Sequence, residues 1–232
     1  MTNIKLIKGN IFTSSSKTLV NTVNCVGVMG AGIALEFRLR HPKMFREYQE
    51  LCEQGEIKIG SLWLYQTDDT SVLNFPTKQH WKYPSKEDFL HQGLAEFVKK
   101  YKELELDSVA FPLLGAQKGG IDANKSLEIM SSYLNKVDIE IEIYQYDPTA
   151  NDDVYQLFKK EFMGSDEYNL QHKTGLGPNY INLIKEGLAD PNINQLNQLA
   201  RINGIGDKTL EKAFAFMAKD KSQGQFHQKG LF

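Results

Sequence analysis

Two glycine-rich segments are the parts of this chain whose residue types and spacing most directly suggest chemistry. Val26-Gly27-Val28-Met29-Gly30-Ala31-Gly32-Ile33-Ala34 follows an apolar stretch around Leu19 to Val23 and opens a helical period. Leu114-Gly115-Ala116-Gln117-Lys118-Gly119-Gly120-Ile121 follows a second apolar stretch that ends at Pro112. Glycine lets the backbone come close to a ligand, and the free N–H groups of a first helical turn point outward with a positive dipole. Each segment taken alone also reads as a tight strand-to-helix turn. Two of them, each after a strand and before a helix, imply a diphosphate held at the carboxyl edge of one sheet. The order Gly27-x-x-Gly30-x-Gly32 is not the dinucleotide fingerprint, and no acidic residue ends a following strand suitably. Without a Gly-Lys-Ser/Thr sequence, a P-loop NTPase is excluded.

Other chemistries find less support. His41, His80, His91, His172 and His227 are scattered, with no HxxxH or HExxH spacing and no cysteine partner. No metal and no cofactor are expected. No GxSxG motif is present for a serine nucleophile. Cys25 and Cys52 lack CxxC spacing and cannot make a disulfide framework. The 27 Lys and Arg against 29 Asp and Glu give a net charge of -2, so the chain is no polycation built to coat nucleic acid. The apolar runs are far shorter than a membrane span. Met1 to Asn10 alternates instead of forming a charged head and an apolar run, so no signal peptide is expected and the reading is cytoplasmic.

The elements that must position the loops alternate along the first part of the chain. Strand patterns are Ile4–Ile7, Thr18–Val20, Ser61–Tyr65, Ser71–Phe75, Ser108–Pro112 and Glu140–Tyr144. Between them run helical periods: Ile33 to Arg40, Lys43 to Gln54, Lys86 to Leu104 and Asn124 to Asn135. The third places Phe89, Leu90, Leu94, Phe97, Val98 and Tyr101 on one stripe. This alternation predicts an α/β three-layer domain over residues 1–147. From Ala150 onward no strand pattern occurs, and a small all-α domain is expected. Residues 148–169 read as a linker or helix, 170–220 as the helical domain, and 221–232 as a flexible tail.

The ordered segments Gly9-Asn10-Ile11-Phe12, Val20-Asn21-Thr22-Val23-Asn24 and Met29-Gly30-Ala31-Gly32-Ile33-Ala34 resemble the opening of a macrodomain, the ADP-ribose-binding α/β module. Pro112-Leu113-Leu114-Gly115-Ala116 with Gly119-Gly120 resembles the second loop of that family. The family's α/β/α fold with a mixed central sheet agrees with the element order. The subtype is similar to the lysine-dependent terminal ADP-ribose glycohydrolases. Within it, Asn74-Phe75-Pro76-Thr77-Lys78-Gln79-His80-Trp81 resembles the DarG-type antitoxins, which remove ADP-ribose from thymidine in DNA.

The resemblance implies roles residue by residue. Asn10 and Ile11 match the position that receives the adenine; most members carry Asp there, and an amide can still accept a hydrogen bond, without charge. Met29 and Gly30 to Ala34 would cradle one phosphate and face the distal ribose. Asn24 matches the asparagine facing that ribose, and Asn21 reads as structural, tying a buried backbone turn together. Thr77 and Gly115, Ala116, Gln117, Lys118, Gly119, Gly120 and Ile121 would complete the ADP-ribose pocket. Lys78, after its strand, would supply an amine made partly neutral by burial; ring-opened ribose then forms a Schiff base with it. Trp81, with His80, either stacks on the modified base or only covers the lysine. Asp122, displaced from the family's assisting aspartate, fits the cap of the following helix.

The tail carries two similar turns, Thr174-Gly175-Leu176-Gly177 and Asn203-Gly204-Ile205-Gly206, their glycines 29 residues apart. The second, with Leu196, Leu199 and Ile202 before it, resembles a helix-hairpin-helix motif. Backbone N–H groups at Gly204 and Gly206, with Lys208, Lys212, Lys219 and Lys221, would meet a DNA phosphate. A helical packing module reusing the turn fits equally. Gln228-Lys229-Gly230-Leu231-Phe232 resembles the short peptides that dock into a bacterial sliding clamp, or folds back on the tail. The expected activity is therefore removal of ADP-ribose from a nucleobase in DNA, as an antitoxin or in repair, with a cognate ADP-ribosyltransferase toxin as partner. The alternatives are removal from acidic protein side chains, a non-catalytic ADP-ribose reader, and a tail that serves as the binding surface for a cognate toxin.

Overall fold

The computed structural model describes residues 4–67 and 70–218. They fall into two units, the first ending at Tyr146 and the second beginning at Asp147. In the first, β1 (Ile4–Gly9), β2 (Thr18–Asn24), β3 (Trp63–Tyr65), β4 (Ser71–Lys78), β5 (Ser108–Pro112) and β6 (Glu140–Tyr146) form one sheet in the order β1-β6-β5-β2-β4-β3. All neighbours are parallel except β3, which runs antiparallel to β4 at the margin. The connecting helices are α1 (Gly32–Arg40), α2 (Pro42–Glu53), α3 (Glu87–Lys100) and α4 (Ala123–Leu134).

Strand alternation explains the layering. Val20, Leu64, Leu73, Val109 and Ile143 face a core closed by Leu90, Leu94 and Phe97 of α3 and Met130 of α4. Their chain neighbours Leu19, Trp63, Val72, Ala110 and Tyr144 face a second core closed by Phe37 of α1 and Met44 and Tyr48 of α2. Side chains along a strand point to opposite faces, so apolar runs such as Val72-Leu73 feed both cores. The expected α/β/α architecture with a mixed sheet is present.

Boundaries differ from the sequence expectation where tertiary contacts decide. β2 continues from Val20 to Asn24, and β3 starts at Trp63 instead of Ser61. β4 runs past Phe75 to Lys78. Its Pro76 lies beyond the end of β3, where the strand is flanked on one side only and proline is tolerated. α3 stops at Lys100, short of Leu104. A turn closed from Leu106 N–H to the Tyr101 carbonyl brings Leu104 and Leu106 into the core, with Glu105 at φ 55°.

The second unit holds α5 (Tyr155–Gly164), α6 (Glu167–Thr174), α7 (Pro178–Ala189), a 3-10 stretch at Leu196–Arg201 and α8 (Asp207–Ala218). The segment 148–169, read from sequence as a linker or helix, carries α5 and the start of α6. Phe158 and Phe162 of α5 pack edge-on against Phe216 of α8. Asp152 accepts from the Leu196 N–H, and the Gln195 amide donates to the Asp147 and Ala150 carbonyls. These bonds fasten the entering chain to the helices. Lys219, Lys221 and the clamp-like Gln228 to Phe232 lie outside the described residues. Among the described residues, no helix is long and apolar enough to cross a membrane.

Gly93 sets how closely α3 approaches β4. A Cβ there would lie 2.3 Å from Cζ of Phe75, inside contact distance. Gly93→Ala should therefore push α3 off β4 and cost about 1–3 kcal/mol. Thermal unfolding should show a drop of roughly 2–12 °C; an unchanged midpoint would contradict this packing.

Candidate functional site

Because β1, β6, β5, β2 and β4 are parallel, their carboxyl ends share one edge of the sheet. Asn10, the two glycine loops and Lys78 all leave the sheet there. The first loop is built by Asn24 at the end of β2. Its Oδ1 accepts from the N–H of Val26 at 3.0 Å and Val28 at 3.4 Å, and its Nδ2 donates to the Val28 carbonyl. The Tyr48 hydroxyl donates to the Asn24 carbonyl at 2.6 Å. Asn24 thus spends its oxygen on folding the loop, and its reach toward a ribose would be through the shape it imposes. Met29 and Ala34 are buried anchors, while Gly30, Ala31 and Gly32 are exposed and Ile33 is half-buried. No side chain caps the N-terminus of α1, and Gly32 holds φ 59°, a conformation that glycine supplies without strain. The first-turn N–H groups are therefore not spent on a side-chain cap.

The second loop winds through a 3-10 turn at Gln117–Gly119 and closes from the Ile121 N–H to the Gly115 carbonyl at 3.0 Å. The Ser85 N–H donates to the Gly119 carbonyl at 2.9 Å. A Cβ on Gly119 would stand 2.8 Å from the Ser85 Oγ, so a larger residue there would make the serine hydroxyl turn away. Ala116 and Gln117 precede it, with Gln117 at φ 50°, and Gly120 follows at φ 84°. The loops meet: a Cβ on Gly32 would lie 3.8 Å from the Lys118 Cγ.

Lys78 is the last residue of β4. Past Pro76 the β2–β4 ladder is irregular: Val23 pairs with Pro76, but Asn24 pairs with Lys78, so buried Thr77 is the extra residue of a bulge. Such an insertion re-aims the side chain that follows it. The Lys78 Nζ donates to the Lys118 carbonyl in the second loop at 2.6 Å. Among the described residues no carboxylate pairs with it, and partial burial draws its pKa below the ordinary lysine value. The half-buried amine is held at the meeting point of the loops.

After Lys78 the chain turns through an aromatic segment. His80 stacks on Trp81 and lies 5.6 Å, centroid to centroid, from Tyr83; Lys82 sits over the Trp81 ring. Trp81 is 49% exposed and Tyr83 65%. Asn10, buried after β1, accepts the Phe12 N–H on its Oδ1 at 3.1 Å and starts a 3-10 turn whose first residue, Ile11, is buried. Asn21 donates to Asn74 across the ladder at 2.9 Å, joining two strands where the sequence implied a tie within a backbone turn. Asp122 caps α4 through the N–H groups of Asn124 and Lys125. Tyr48 and Ser85 were not legible as site builders, since helical spacing marks Tyr48 only as core and nothing local marks Ser85. In the second unit, Gly204 holds φ 93° and Lys208 is exposed, but Lys212 donates to the Gly175 carbonyl.

The Macro domain family model matches residues 20–130. The macrodomain of Mycobacterium tuberculosis DarG superposes with a TM-score of 0.59 at 39% identity, covering 61% of this chain and 96% of that one. The chain belongs to the macrodomain family. A DNA ADP-ribosyl glycohydrolase of M. tuberculosis is 40% identical over 141 residues, 59% of this chain and 40% of the relative. Thermosipho africanus DarTG, solved in complex with ADP-ribose, is 32% identical with a TM-score of 0.61, covering 68% of this chain and 45% of that one. The chain spans about two fifths of the length of the curated relatives it matches first.

Behind the first loop of this macrodomain lies a cavity of about 280 Å³ bordered by Cys25, Gly27, Gln49 and Cys52. Burial, with Cys52 nearby, pushes the Cys25 thiol up to about 11. A raised thiol pKa leaves the protonated, unreactive form at neutral pH. Alkylation of native protein by iodoacetamide should therefore be slow at pH 7.5 and accelerate as the pH is raised toward 11. Fast labelling of Cys25 at pH 7.5 would show a thiolate there.

Proposed function

We propose that this macrodomain removes ADP-ribose from a nucleobase in DNA, with thymidine-type adducts as substrate, in an antitoxin or repair role opposite a cognate ADP-ribosyltransferase. The observation that carries the reading is the Lys78 amine, drawn below its ordinary pKa and hydrogen-bonded to the second loop beside the first. The similarity to DNA ADP-ribosyl glycohydrolases supports the choice of DNA as substrate.

In this reading the uncapped turn of α1 and the Gly115–Ile121 loop hold the diphosphate, and the distal ribose lies against Lys78. The carbonyl of Lys118 orients the amine, and among the described residues no carboxylate pairs with it to hold the charged form. The amine nitrogen bonds to the anomeric carbon. The bond from that carbon to the base nitrogen breaks, and the base leaves with a proton. Opening of the ribose ring gives a protonated Schiff base. Water then adds to it, releasing ADP-ribose and restoring the amine. The exposed rings of Trp81 and Tyr83, with Lys82, offer stacking faces and charge to the bases and phosphates around the adduct.

Lys78→Ala should abolish release of ADP-ribose from a modified single-stranded oligonucleotide and leave ADP-ribose binding by calorimetry nearly unchanged. Gly30→Glu should do the reverse of sparing binding: it puts a carboxylate at the phosphate position without the backbone strain a change at Gly32 would bring. Turnover by the Lys78 variant would overturn the mechanism. Glutamate-ADP-ribosylated protein serves as the competing substrate, and preference for it would move the assignment to protein.

The second unit is proposed to hold DNA through the Gly204-Ile205-Gly206 turn. Lys212 is tied to Gly175, so Lys208 is the cleaner probe. Lys208→Glu should weaken binding of duplex DNA irrespective of sequence and flatten its dependence on salt. Unchanged binding would make the unit a packing or partner module.

A further inference from the structure

Cys25 and Cys52 are distant in the chain and neighbours in the fold. Cys25 follows Asn24 at the end of β2, and Cys52 lies in the last turn of α2. Both are half-buried free thiols packed against the second core. They border the same cavity of about 280 Å³, which is partly open and is lined also by Val26, Gly27, Gln49 and Glu53. Gly27 brings them together. Its φ of 74° turns the loop back onto α2, where a Cβ would lie 3.6 Å from the Gln49 Cα and 3.7 Å from the Cys52 Cβ. Cys25 stands two residues before this contact. The Cys52 sulfur faces the Tyr48 hydroxyl and the Gly27 N–H, and the Cys25 thiol is near enough to feel the Cys52 charge. A disulfide needs Cα atoms roughly 4–7 Å apart, a spacing that the Gly27 contact brings within a small movement of the loop.

Cys25 is also a joint of the site. Its N–H donates to the Gln79 carbonyl at 3.3 Å, and Gln79 directly follows Lys78. On its other side Asn24 holds the N–H groups of Val26 and Val28 that shape the first loop. A sulfur drawn toward α2 therefore pulls both on the chain beside Lys78 and on the turn that leads to Gly30 and Gly32.

We propose that Cys25 and Cys52 form a site of oxidative modification, joined by a hydroperoxide into a disulfide that displaces the first loop and weakens the binding of ADP-ribose. The Cys52 thiolate attacks one peroxide oxygen, the O–O bond breaks, and the other oxygen leaves and takes up a proton. Cys52 is then a sulfenic acid. The Cys25 sulfur attacks the Cys52 sulfur, the S–O bond breaks, and the hydroxyl departs as water with the Cys25 proton. Two thiols are oxidised and one hydroperoxide is reduced. Burial opposes both thiolates, but at Cys52 the Tyr48 hydroxyl and the Gly27 N–H act against it, so Cys52 is attacked first. Protonated thiols make the reaction slow at neutral pH and faster as pH rises. The site thus answers sustained exposure to oxidant. Its effect on binding rests on the proposed diphosphate reading of the first loop.

The test treats the full chain with hydrogen peroxide at pH 9, removes the peroxide and returns the protein to pH 7.5. Peptide mapping of the monomer without reduction should find Cys25 joined to Cys52 with the loss of two hydrogens. Calorimetry should find the Kd for ADP-ribose raised tenfold or more. Dithiothreitol should reverse both changes, which it does not do for methionine sulfoxide or a sulfinic acid. Cys25→Ser, treated in the same way, should keep the Kd it had before peroxide. Absence of a cross-link within the chain overturns the site. A mapped disulfide with an unchanged Kd overturns its control of the loop. Failure of the reduced wild type to bind ADP-ribose overturns the diphosphate reading instead, and mapping still decides the cross-link.

Discussion

The site depends on the pairing of β2 with β4. Both strands are buried on two faces, so hydrophobicity alone specifies their register weakly; a slipped pairing would still bury valine and leucine. The amide pair Asn21 and Asn74 removes that freedom, because the 2.9 Å bond between them forms in a single register and breaking it leaves polar atoms buried. With that register held, the bulge at Thr77 sets Lys78 opposite Asn24. The lysine and the first loop are then fixed relative to each other by the sheet itself.

From this pairing the two loops take complementary tasks. The first is tied by Asn24 and Tyr48 so that its exposed glycines lead into a helix N-terminus without a side-chain cap. The second is clasped by Ser85 and turns its Lys118 carbonyl toward the lysine. Among the described residues no acidic side chain pairs with the Lys78 amine. That arrangement suits a doubly negative diphosphate and keeps a nearby lysine from being held in its charged form.

The aromatic segment at His80 to Tyr83 grows from the same strand end. Its Trp81 and Tyr83 rings are exposed just after Lys78, an unusual place for tryptophan and tyrosine unless a partner covers them. A net charge of -2 agrees with recognition by a few local contacts in preference to a broad basic face.

The α/β alternation, the two glycine loops and the helical tail were legible in the sequence because they rest on local periodicity and on glycine's special backbone. The α3 stripe of Leu90, Leu94, Phe97 and Tyr101 was legible for the same reason. Lys78 was legible only through resemblance, since nothing local separates it from other lysines. Tertiary structure alone decided that β4 extends through Pro76 to Lys78, because the strand outlives its β3 neighbour there. It also decided that 148–169 joins the helical unit, through rings at Phe158 and Phe162 that meet Phe216. The same holds for the Asn10 amide: sequence supplies a group able to donate or accept, and only the fold, by placing the Phe12 N–H against its oxygen, fixes its orientation.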